Sequence, residues 1–166
     1  MAMEILLARV DSRLLHGQVA TAWTKKVKPN RILVVSDNVA EDSLRKNLIT
    51  QAAPPGTNAS VITVQKMLDI YKDPQFDDLK TLLLTETVQD MLRLVQGGVD
   101  LSETGVDIGS LAYADEMILL TDAIAVGPEE VSAIRELHAT GLDVFAQKIP
   151  NDSKKDVIAM LDKNKL

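Results

Sequence analysis

The sequence predicts an α/β fold: a mostly parallel central β-sheet of about six to seven strands with helices on both faces, in a single domain spanning residues 1–166. Three observations predict it. Short apolar runs alternate with segments of helical periodicity from end to end, the order that yields parallel strands joined by crossover helices. Several runs are nearly continuous Val, Ile and Leu, as strands covered on both faces require. At 166 residues the chain suits one domain, which at this size buries roughly 70% of its unfolded surface and needs no covalent staples.

The first strand is placed at Met3–Val10. Val19, Trp23 and Val27 then recur every four residues, the stripe of an amphipathic helix. Arg31–Ser36 is the second strand, and Leu44 with Leu48 mark the stripe of the next helix. Pro54-Pro55-Gly56 is a turn before a third strand at Ala59–Thr63, and Asp73–Asp78 is another before Thr81–Leu84. Val88 and Leu92, with Val95 following, define a helix that Gly97-Gly98 ends. The stretch Asp100–Glu116 is irregular apart from a strand at Val106–Ile108, and long irregular segments often carry function. A further extended piece lies within Met117–Val126. Pro128 occupies the first turn of a helix with Glu129 and Glu130 behind it, suiting both its φ and the macrodipole. Val131, Ile134 and Leu137 face the core, and Gly141 stops that helix. A strand at Asp143–Ile149 and, after Pro150, a helix from about Ser153 to Asn164 complete the chain.

Charged residues make up 25% and hydrophobic ones 46%, a soluble globular profile. A net charge of −6 and a pI near 4.9 argue against nucleic acid as a partner. Any basic cluster is therefore local. The chain has no cysteine, so disulfides, thiolate catalysis and Cys-ligated metals are excluded, in keeping with a reducing compartment. The start, MAMEILLARVD, is too short and wrongly flanked for a signal peptide, and no apolar run approaches the roughly 20 residues that span a bilayer. A cytoplasmic location is expected. Neither GxGxxG nor GxxxxGK[ST] occurs, and two distant histidines make a poor metal site. Glu103, Asp107, Asp115 and Glu116 would hold a hard cation only by accident of folding. No cofactor and no metal are expected.

The stretch that carries chemistry is RVDSRLLHGQ, residues 9–18. Ligands of open α/β sheets gather beyond the carboxyl ends of strands, and Asp11 to Gly17 form a loop at such an end. That loop runs into a helix N-terminus, where free N–H groups and the dipole favour an anion. A neutral imidazole at His16 is a nucleophile, and Asp11 is near enough to fix its tautomer. Arg13 and Arg9 supply the positive charge that a phosphoryl group needs, and Gly17 lets backbone N–H groups approach closely. On chemistry alone the same residues read equally well as a salt-bridged strand terminus followed by a turn histidine.

The longer segment RVDSRLLHGQVATAW resembles the active-site segment of enzyme IIB in the mannose/fructose/sorbose family of the bacterial sugar phosphotransferase system. ILVVSDNVAEDSLRKNLITQAAPPG, LLLTETVQDMLRLVQGGVD, GVDIG and LHATGLDVFAQKIPND resemble later landmarks of that family in the same order. The resemblance implies that His16 accepts phosphate on Nδ1 from a phosphohistidine of the IIA component. The group would then pass to a hexose or amino sugar delivered by the membrane subunits IIC and IID. It further implies that Asp11 orients His16, that Arg13 and more weakly Arg9 bind phosphate, and that the backbone around Gly17 and Gln18 completes the cradle. Asp37, after the second strand, is expected near this loop. The implied protein is cytoplasmic and peripherally associated with its permease, and a homodimer is open. Ser12 stands where an acidic residue is frequent. Gly109-Ser110-Leu111 departs from the family's Gly-Gly-Met, which touches the shape of the neighbouring loop and its sugar or partner preference.

Rival readings remain at this level. His138 is the alternative phospho-acceptor, although its place at a helix end suits a dipole role. A binding or regulatory domain that keeps the fold without transfer, and a nucleotide-dependent α/β enzyme, are the other two. Trp23 is read as core or interface, and Glu129 with Glu130 as first-turn charges.

Overall fold

The computed structural model describes residues 2–166, the side chains of Gln18 and Val19 excepted. The expectations for those two side chains therefore lie outside the described part. In chain order the elements are β1 Glu4–Asp11, α1 Gly17–Val27, β2 Arg31–Val35, α2 Asp37–Glu41, α3 Ser43–Gln51, β3 Asn58–Ile62 and α4 Val64–Tyr71. They continue with β4 Lys80–Thr85, α5 Val88–Gln96, β5 Val106–Ser110, β6 Ile118–Leu119, β7 Ala125–Val126, α6 Pro128–Ala139, β8 Val144–Ala146, β9 Lys155–Asp156 and α7 Val157–Lys163. Seven strands form one sheet in the order β3-β2-β4-β1-β5-β8-β9, parallel except for the β8–β9 pair. The expected α/β architecture is observed.

Alternation along the strands divides the core in two. Leu7, Ile32, Val34, Leu82 and Leu84 pack with Trp23, Val39 and Ile49 of α1–α3. Ala8, Val10, Leu33, Val35 and Leu83 face the other way, against α4–α7. Each central strand thus buries both faces, which is why it reads as an unbroken apolar run.

Several boundaries moved by a residue because polar ends cap the next helix. Ser36 and Thr63, expected to end strands, accept N–H groups from Val39 and Lys66. Two expectations need correction. Leu44 and Leu48 do not face the core but stand 70% and 59% exposed. Their helix packs on the edge strand β3 and buries only Ile49. The last helix starts at Val157, because Lys155–Asp156 adds an antiparallel edge strand to β8 and Asp156 then caps α7. The piece within Met117–Val126 is a separate two-stranded hairpin, β6–β7. Between β3 and the turn at Asp73, α4 buries Val64, Met67 and Ile70, a helix absent from the expected elements.

Residues on α6 and α3 measure the contrast. Leu137→Ala, at a fully buried position, is expected to cost about 2–5 kcal/mol. Leu44→Ala is expected to fall within about 0.5 kcal/mol of the parent. Urea unfolding of the two variants tests whether the core is where the two clusters place it.

Candidate functional site

The strand order reverses direction around β1. The chain leaves β1 for β2 on one side, and β5 adds on the other. The carboxyl ends of β1 and β5 therefore lie side by side at a topological switch point, where open α/β sheets hold their ligands. Parallel pairing puts Arg9 opposite Asp107 and Val10 opposite Ile108. The register then slips, and Asp11 faces Ser110 with Gly109 as the extra residue. This bulge turns the Ser110 hydroxyl towards Asp11, the re-aiming that bulges perform beside sites.

Gly109 serves a second purpose. A Cβ there would lie 2.3 Å from Arg9 Cζ, so only glycine lets the guanidinium settle against the strand. Arg9 is 2% exposed. Its Nη1 donates to Asp107 Oδ2 at 2.5 Å and to the Gln147 carbonyl at 2.7 Å, and its Nη2 reaches Asp11 Oδ2 at 3.5 Å. Its face lies over Trp23, 5.6 Å from the ring centroid. The Gln147 N–H donates to Asp107 Oδ1, and Trp23 Nε1–H to the Lys148 carbonyl. The buried pair thus also fixes the turn after β8.

Asp11, 1% exposed, accepts at both oxygens. Oδ1 takes the Arg13 N–H at 2.9 Å and the Ser110 hydroxyl at 2.8 Å. Oδ2 lies 3.1 Å from His16 Nε2. Against an ionised carboxylate Nε2 is the donor, and in the neutral ring Nδ1 then keeps its lone pair. The His16 side chain is 20% exposed and lines a cavity of about 440 Å³ together with Arg13, Ser12, Tyr113, Asp122 and Lys148. Arg13 and Lys148 are exposed.

The intervening loop is wound tightly. Leu14 adopts φ +56° and Gly17 φ +40°. A left-handed leucine costs about 1 kcal/mol, and the Leu14 side chain, 2% exposed in the α1-side core, offsets it. The winding puts His16 at the N-cap of α1, where its side chain caps no N–H group among the described residues, and the first turn has no acidic residue. That helix end is open to an anion.

The expected residues separate into groups. Arg9, Asp11, Arg13, His16, Gly109 and Ser110 converge on one cavity, and Gly17 opens the helix beside it. Asp37 does not join them, because β4 lies between β2 and β1. Its carboxylate accepts the Val64 N–H and pairs with Arg93. The Val64 N–H, with help from Arg93, holds it below the ordinary carboxylate range. His138 sits at the end of α6 with Nδ1 donating to the Leu142 carbonyl, at 3.3 Å. Among the described residues no group of three or more acidic or His side chains converges as a metal site.

Neither Asp107, which the sequence offers only as a chance cation ligand, nor Lys148 is among the residues that the motif singles out for the site. A lone acid inside the apolar strand Val106–Ile108 was the signal for the first, since a buried carboxylate demands a partner. Lys148 carried no comparable mark.

Comparison with known proteins bears on the whole chain. Residues 5–166 match the family model described as the PTS system sorbose subfamily IIB component. The chain is 42% identical over 164 residues to the mannose-specific EIIAB component of Escherichia coli (strain K12), covering 97% of this chain and 50% of that protein. It thus spans about half the length of that relative. It is 35% identical over 160 residues to the sorbose-specific EIIB component of Lacticaseibacillus casei, covering 96% of each. The crystal structure of the IIBSor domain of the sorbose permease from Klebsiella pneumoniae superposes with a TM-score of 0.93 at 33% identity, covering 97% of this chain and 98% of that one.

Burial pushes the Asp107 carboxyl from 3.8 up to about 6, against the pull of Arg9 and the Gln147 N–H. Folding then takes up a proton between those values. This group's contribution to stability is complete below about 4 and is lost as pH rises through about 6. The melting-temperature difference between the parent and Asp107→Asn is expected to favour the parent more at pH 5 than at pH 7.5. Thermal melts at the two pH values give the sign.

Proposed function

The chain belongs to the sorbose-subfamily IIB components of the phosphotransferase system, and from that premise we propose that residues 1–166 act as one phosphocarrier unit with His16 as the phospho-acceptor. The carrying observation is the 3.1 Å contact between His16 Nε2 and Asp11, which leaves Nδ1 as the free nucleophile. The phosphorus of a phosphohistidine on a IIA partner is attacked by Nδ1. The N–P bond to the donor breaks as the new one forms, and the donor imidazole leaves with its electron pair. No proton need move at Nδ1, because the hydrogen of His16 is already on Nε2. Asp11 offsets the positive charge that the ring gains.

The transferred group spreads negative charge over its oxygens, so the site must supply donors and cations. Arg13 supplies a guanidinium fork, and the N-terminus of α1 at Gly17 and Gln18 supplies backbone N–H groups. Arg9, committed to Asp107 and Gln147, acts by holding Asp11. The second transfer delivers the group to a sugar hydroxyl, with membrane IIC and IID subunits presenting the sugar and the chain working at the cytoplasmic face. Relatives named for mannose, sorbose, fructose and N-acetylgalactosamine support a hexose or amino sugar as the final acceptor. Among the described residues no helix is long and apolar enough to cross a membrane.

Incubation with ³²P-labelled phospho-IIA tests the assignment. The chain is expected to take up acid-labile label, with none in His16→Ala and full uptake in His138→Ala. Label that survives in His16→Ala rejects the proposal. Arg13→Ala, exposed and outside the core, is expected to fold normally and to accept phosphate about a hundredfold more slowly, the loss typical of one preorganised electrostatic contact.

A further inference from the structure

The hydrogen bonds around Asp11 run in one direction. Since the carboxylate only accepts, Ser110 Oγ–H is the donor in the 2.8 Å contact to Oδ1. Its single proton spent, Ser110 Oγ accepts from Ser12 Oγ–H at 3.0 Å and from the Ser12 N–H at 3.2 Å. The result is a relay from the Ser12 hydroxyl through Ser110 to Asp11, and from there to the His16 ring. The bulge at Gly109 creates it, since regular pairing would have set Gly109 opposite Asp11.

Arg9 stands between two carboxylates and divides itself unequally. Asp107 receives Nη1 at 2.5 Å, whereas Nη2 is 3.5 Å from Asp11, at the limit of a hydrogen bond. Nε is buried without a partner among the described residues. The guanidinium is therefore drawn towards Asp107, and the carboxylate that orients His16 is left with a weak ionic hold. Two neutral donors, the Arg13 N–H and the Ser110 hydroxyl, make its short contacts at Oδ1.

We propose that Ser110 is a positioning residue for the phosphoryl transfer: backed by Ser12, its hydroxyl supplies the hold on Asp11 that Arg9 gives up to Asp107, and so keeps His16 in the Nε2–H tautomer with Nδ1 open. This deepens, and rests on, the reading of His16 as the phospho-acceptor. It makes Ser110 and Asp107 energetically coupled although no hydrogen bond joins them. Neutralising Asp107 releases Arg9 to Asp11, and the hydroxyl then becomes redundant.

A double-mutant cycle reads that coupling. Parent, Ser110→Ala, Asp107→Asn and the double variant are checked for folding by thermal melts, and their phosphate acceptance from phospho-IIA is timed. Ser110→Ala is expected to lower the maximal rate about tenfold, as loss of an orienting partner does at the low end. The half-saturating donor concentration should not change, because the hydroxyl proton is committed to Asp11. Ser110→Thr, which retains the hydroxyl, should keep most of the rate. In the Asp107→Asn background the same serine change should cost no more than about twofold. ¹⁵N spectra of the His16 ring give a readout free of activity. The parent should show protonated Nε2, and Ser110→Ala a mixture of tautomers. Additive effects in the cycle, or an unchanged ring spectrum in Ser110→Ala, overturn the proposal. If Asp107→Asn does not fold, the ring spectra of Ser110→Ala and Ser110→Thr decide it. Acceptance that persists in His16→Ala rejects the underlying acceptor assignment, while the ring spectra still judge Ser110.

Discussion

Arg9 is removed from water at the end of a central strand, and a guanidinium in that position has to be answered by carboxylates and carbonyls. Asp107 across the strand pair, the Gln147 carbonyl beyond it and Asp11 two residues on supply the answer. A buried pair of this kind is weak as a source of net stability, because desolvation takes back much of the attraction. Its value is geometric. Arg9 and Asp107 tie β1, β5 and the turn after β8 into one rigid frame, and Asp11 stands at the edge of that frame with both oxygens engaged. His16 is then positioned by a carboxylate that has little freedom to rotate.

The loop between the frame and α1 works against local preference. A leucine in the left-handed region and a histidine at an N-cap with no side-chain cap are both poor local choices. Burial of Leu14 and Leu15 holds the winding in place. The consequence is a helix N-terminus beside the His16 ring. Strain of this sort accumulates where a structure must present a reactive group.

Charge in the cavity is finely divided. Asp11 and Asp122 line it with Arg9, Arg13 and Lys148, and Asp107 holds Arg9 from behind, so acidic and basic groups are equal in number. Arg9 is already spent on the carboxylates. Arg13, Lys148 and the N-terminus of α1 are the positive groups that face the cavity. The division follows from burial: the interior cation is held by carboxylates, and the exposed ones face the cavity.

The sequence by itself determined the parallel α/β class, because strands buried on both faces must be continuously apolar and their connecting helices must carry stripes. The sequence also marks the His16 segment, because Arg9, Asp11, Arg13, His16 and Gly17 fall within nine residues at a strand's end, although by their chemistry alone they read equally well as a salt-bridged terminus. Stripes misled at α3, where Leu44 and Leu48 have helical spacing but no second layer to cover them. The tertiary structure alone decided which arginine is buried and which is free, since both look alike in the text of the chain. It also decided that Asp37 lies beyond β4, that Asp107 pairs with Arg9, and that Ser110 of the expected neighbouring loop turns its hydroxyl onto Asp11. Those outcomes depend on strand order and on one bulge. Neither leaves a local trace, because register between distant strands is set by packing across the whole sheet.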